Sequence, residues 1–122
     1  MSQKYNRIMP ESEGNVLAVE IGERITLEEY QEIFADAAAT LLPKYEESRL
    51  LLNYTKDFYG WDIEAAEIDL GILSTKGHLL SKIALVNPPE KVLSRWLVLK
   101  PILGGELRIF TQVDEAINWV KS

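Results

Sequence analysis

Apolar residues recur along this chain with two periods, and the switches between them mark out its elements. Tyr5 to Met9 reads as a short first strand ended by Pro10. Glu11-Ser12-Glu13-Gly14-Asn15 is a polar turn. Val16 to Ile21 then sets Leu17, Val19 and Ile21 against Glu20, the alternation of a half-buried strand. The two strands are expected to form an antiparallel hairpin. Thr26-Leu27-Glu28-Glu29 has the form of a capping box, in which the threonine hydroxyl takes the Glu29 amide and Glu29 reaches back. Leu27, Tyr30, Phe34, Ala37, Ala38 and Leu41 follow at helical spacing until Pro43 stops the pattern, giving a helix with one core-facing stripe.

Arg49 to Tyr54 shows little alternation, as a strand buried on both faces should. Beyond it lie Thr55-Lys56-Asp57-Phe58-Tyr59-Gly60-Trp61, and then Asp62, placed to cap a second helix through Ile63, Ala66, Leu70 and Leu73. Glu64 and Glu67 suit the positive end of that helix, and Gly77 suits its C-terminal stop. Lys82 to Val86 is another buried strand. Asn87-Pro88-Pro89-Glu90 signals a third helix from about Pro88 to Leu99, ended before Pro101. Leu107 to Phe110 is a last strand, and Thr111-Gln112-Val113-Asp114 opens a last helix with the stripe Val113, Ala116, Ile117 and Val120. This alternation predicts a single α/β domain over residues 1–122: a mixed, mostly parallel sheet of about five strands, flanked by four helices.

Composition narrows the function classes. Apolar residues make up 47% and charged residues 26%, the balance of a globular protein with a real core. There is no cysteine, which removes disulfides, iron–sulfur clusters and thiolate zinc. The net charge of −6 is unevenly spread: residues 11–69 carry −11 and residues 76–108 carry +4. Overall acidity argues against a nucleic-acid partner, whereas the basic later third leaves room for an anionic membrane surface. No apolar run reaches the length of a membrane span and no signal peptide is evident at Met1, so a cytoplasmic location is expected.

Three short segments carry a family resemblance. They are Gly60-Trp61-Asp62 after the central strand, Lys82-Ile83-Ala84-Leu85-Val86 before a helix, and Arg108-Ile109-Phe110 followed by Asp114-Glu115-Ala116-Ile117-Asn118-Trp119-Val120. Together the chain resembles the SpoIIAA-like proteins, relatives of the STAS domains, over nearly its whole length. The resemblance implies a small mixed sheet flanked by helices, oligomers in several members, and binding of apolar ligands or association with membranes, with no known enzyme activity. Anti-sigma-factor antagonists of the wider group carry a phosphorylatable serine at the start of the second helix. Here the place reads Asp57-Phe58-Tyr59-Gly60-Trp61-Asp62, without serine, so only Thr55 or Tyr59 would stand in.

Reactive chemistry finds little footing. His78 is the single histidine and reads as a solvated cation past a helix end. There is no Gly-x-Ser-x-Gly elbow, no calcium-loop pattern and no glycine-rich phosphate loop, and Gly104-Gly105 reads as a turn before a strand. No catalytic residue, cofactor or metal is therefore expected, and the chain is read as non-enzymatic.

Two apolar surfaces remain. Tyr54, Phe58, Tyr59 and Trp61 either close the core or line a pocket with Leu70 and Leu73 of the second helix and Trp96 and Leu99 of the third. The third helix also carries an unusually wide apolar arc. Val92, Leu93, Trp96 and Leu97 make a buried stripe, and Val98, Leu99, Ile102 and Leu103 lie outside it among Lys91, Arg95 and Lys100. A homodimer contact, a membrane-facing or lipid-lining helix, and plain core all fit that arc. The favoured expectation is a binding module for a lipid-like ligand or membrane surface; the alternative is a protein–protein or regulatory module acting as a homodimer.

Overall fold

The computed structural model describes residues 6–36, 39, 44–45, 47–62, 71 and 79–122. Five strands form one sheet: β1 (Asn6–Ile8), β2 (Val16–Ile21), β4 (Ser48–Tyr54), β6 (Leu80–Val86) and β7 (Glu106–Phe110), in that spatial order. Only the β1–β2 hairpin is antiparallel; the other three pairings are parallel. Two further short strands, β3 (Arg24–Ile25) and β5 (Gly60–Trp61), pair parallel outside this sheet. The helices are α1 (Leu27–Glu29), which widens into π-type turns over Tyr30–Ala35, α2 (Glu90–Leu99), which tightens into a 3-10 turn over Lys100–Ile102, and α3 (Val113–Lys121). Of the expected second helix only Gly71 is described, and it is helical; Leu70, Leu73, Gly77 and His78 lie outside the described residues, among which three helices are traced where four were expected for the whole chain.

Alternation along the strands divides the core in two. Val19, Ile21, Leu52, Tyr54, Ile83 and Leu85 point to one face, where they meet Ile33 of α1 and Val92, Trp96 and Leu99 of α2. Val16, Ala18, Leu51, Ala84 and Val86 point to the other, against Ala116 and Val120 of α3. The small side chains of Ala18, Ala84 and Ala116 let α3 approach the sheet closely. β2 is thus covered on both faces, not half-buried as its alternation suggested. Glu20 had pointed to a solvent side, but it sits near the sheet's edge, where it pairs with Arg7 at 2.9 Å.

Helix ends follow local chemistry, with one shift from expectation. Thr26 Oγ1 accepts from the Glu29 amide at 3.2 Å, as a cap should. Glu29 Oε2 is buried and accepts from both the backbone N–H and the side-chain amide of Asn6, at 2.7 and 2.9 Å, tying α1 to β1. α2 starts at Glu90 and not at Pro88. A residue before proline is pushed out of the helical region, so Pro88 does not open the helix, and Pro89, itself extended, is the cap residue. Its carbonyl accepts the first helical bond, from Leu93 N–H at 3.0 Å. Asn87, expected to cap, takes φ +50 and ties the end of β6 to β7 through Phe110 and Thr111. At the far end of α3, Arg49 and Lys82 donate to the carbonyls of Val120 and Trp119, cations placed on the negative end of the dipole.

Candidate functional site

The segment after β4 does not float as a free loop. The Thr55 amide donates to Ile21 O, the Tyr59 amide to Glu23 O at 2.7 Å, and the Asp62 amide to Ile25 O at 2.8 Å. With the β3–β5 pairing, these bonds lace residues 55–62 along residues 21–25. Asp62 was expected to cap the helix that follows it. The start of that helix lies outside the described residues; within them, Asp62 Oδ2 accepts from the amide of Leu27, the first residue of α1, at 3.0 Å, and its Oδ1 pairs with Arg24. The carboxylate therefore pins this segment to α1.

So held, the aromatics form a graded series from core to solvent. Tyr54 and Phe58 are buried and meet edge to face at 5.2 Å between centroids. Phe58 stacks near-parallel on the half-buried Trp61 at 6.1 Å. Lys91 Nζ and the Arg95 guanidinium lie 5.7 and 5.5 Å from the Trp61 ring centre, one turn apart on α2. Lys91 also donates to Tyr59 O at 2.8 Å. Such cation–π contacts stabilise by about 0.5–1 kcal/mol each when exposed. Trp61 is thereby the joint between the β5 segment and α2, while the Tyr59 side chain projects into water.

Trp96 and Leu99 are both buried and belong to the same cluster as Tyr54 and Phe58. Leu70 and Leu73 lie outside the described residues. The inner stripe of α2 is Val92, Trp96 and Leu99, with Leu103 packed partly against it. Leu97 and Leu99 thus exchange the places that sequence spacing assigned them, because the stripe follows 4-3-4 steps from Val92. On the outer face Leu97 is 52% exposed, Val98 79% and Ile102 40%. Burying one such side chain stabilises by roughly 1.5–3 kcal/mol, and folding leaves much of that unused here.

The basic third of the chain also divides. Lys91, Arg95 and Lys100 accompany α2. Lys82 and Arg108 lie on the opposite side of the sheet, within 5.3 and 5.1 Å of the Trp119 ring centre. Among the described residues no group of three or more acidic, histidine or cysteine side chains is placed to hold a metal ion, and no helix is long and apolar enough to cross a membrane.

A mixed sheet in the order β1-β2-β4-β6-β7, with α1 and α2 on one face and α3 on the other, defines the SpoIIAA-like, STAS-like class of α/β fold. The SpoIIAA-like family model matches residues 16–121, and the chain belongs to that family. An uncharacterised protein of SpoIIAA-like fold from Shewanella loihica PV-4 superposes with a TM-score of 0.68 over 98% of each chain, at 21% identity. No curated protein matches. Family and fold support a regulatory or binding module in general terms.

The β3–β5 lacing was absent from the sequence reading because two-residue strands carry no period. Ile33 was likewise missed as a core residue. It stands three residues after the buried Tyr30, a spacing at which the helical period itself places both side chains on one face.

Proposed function

We propose that this protein is a non-enzymatic binding module that associates peripherally with an anionic, lipid-like surface through the outer face of α2. The observation that carries the reading is the exposed set Leu97, Val98 and Ile102, on a helix whose inner face is already committed to the core. Lys91 and Lys100 are exposed beside that set. Basic residues near a charged bilayer contribute about 1 kcal/mol each, and apolar side chains entering its boundary add their burial. The aromatic series behind α2 supplies an apolar wall, which a lipid chain meets if α2 moves outward.

Flotation with vesicles tests this. Anionic vesicles at low salt are expected to carry the protein upward, neutral vesicles much less, and Val98→Asp with Ile102→Ser to leave it at the bottom with an unchanged circular dichroism spectrum. Failure of the wild-type chain to float with anionic vesicles contradicts the reading. The same face also suits a homodimer or regulatory contact. That alternative requires the substituted chain to lose its partner in light scattering, where the wild type shows more than one chain mass.

A further inference from the structure

A second unfinished surface lies at the end of the sheet, away from the outer face of α2. Ile8, Val19, Leu52, Leu85 and Ile109 stand in register across all five strands on one face. The middle three are buried under α1 and α2, but Ile8 and Ile109 at the two ends are 52% and 51% exposed. The β1 end is short, is closed by Pro10, and has Arg7 already paired with Glu20. The β7 end has five residues and no proline.

We propose that β7 is a pairing edge for a second copy of this chain: two β7 strands join antiparallel about a two-fold axis at Leu107, continuing the sheet through a dimer. Backbone direction supports this register. The Asn87 amide donates to Phe110 O at 2.9 Å, so the Phe110 carbonyl points inward to β6. Alternation along the strand turns the groups of Arg108 and Glu106 inward as well, and leaves the N–H and C=O of Leu107 and Ile109 facing out. A central Leu107–Leu107 pair then exchanges both its hydrogen bonds.

Charge selects the same register. Glu106 and Arg108 are both exposed and flank Leu107. Within one chain they pair at 3.2 Å. With Leu107 on the axis, Glu106 of each copy stands directly opposite Arg108 of the other, at the closely spaced positions of an antiparallel ladder. Moving the axis to Arg108 would set two guanidinium groups opposite each other, which is disfavoured. Pairing β7 with β7 closes on itself, whereas β7 on β1 would propagate into a filament. An edge bearing an exposed isoleucine is otherwise an aggregation hazard, and a symmetric partner removes it.

Light scattering on the full chain tests this through a charge exchange. The wild type is expected at twice 13.9 kDa. Glu106→Arg alone and Arg108→Glu alone should each give a single chain mass, because like charges then face each other. Mixing the two variants should restore the doubled mass as a heterodimer, since two arginines now meet two glutamates. A wild type that stays at one chain mass at the highest soluble concentration overturns the proposal. So do single variants that stay dimeric, or a mixture that stays monomeric. A dimer lost with Val98→Asp but indifferent to the β7 charges would assign the contact to α2 and equally overturn it.

Discussion

Gly105 stands immediately before β7, and a Cβ built on it would overlap the carbonyl and Cα of Ser81 in β6. The obstacle is backbone and cannot rotate away. Gly105→Ala should therefore destabilise the fold by about 1–3 kcal/mol, the usual cost of overpacking, seen as a lower midpoint in urea unfolding. Asp62 is the second decisive residue. Its carboxylate holds the Leu27 amide and Arg24 together. Asp62→Ala should cost about 1–2 kcal/mol in the same measurement, a lost cap plus a partly exposed ion pair, with Asp62→Asn retaining most of the cap. Neither role was legible in the sequence. The Gly104-Gly105 pair announced only a turn, and spacing around Asp62 pointed only to the helix that follows it, because a contact made 35 residues away leaves no trace in local spacing.

At the scale of elements, legibility depended on length. The four longer strands of the sheet and α3 emerged from alternation and helical spacing within about two residues of their true bounds, because each packs a repeating face against the core. The start of α2 was displaced by two consecutive prolines, whose steric demand on the preceding residue outweighs their preference for a first helical turn. Its wide apolar arc resolved into two faces of opposite fate. Trp96 lies in the core, so Trp96→Asp should abolish folding and says nothing about binding. Val98 and Ile102, one turn apart on the outside, are the positions at which an added charge separates binding from stability. Tyr59 and Trp61 show the same division within a single loop, one ring in water and one held under Lys91 and Arg95.

For the molecule as a whole, the sheet is sealed through its middle and left open at its ends, while α2 presents apolar side chains beside lysines on one outer side. The acidic total of −6 conceals this, since it averages a local basic-apolar strip with an acidic remainder. The chain has no cysteine, so one introduced at a chosen position gives a unique label. The most direct measurement places an environment-sensitive fluorophore on Val98→Cys, with Asp114→Cys on the exposed side of α3 as control, and adds anionic vesicles containing brominated lipid. Strong quenching at 98 with none at 114 is the predicted result. Absence of quenching at 98, or equal quenching at both positions, contradicts the assignment of α2 as the membrane-facing element.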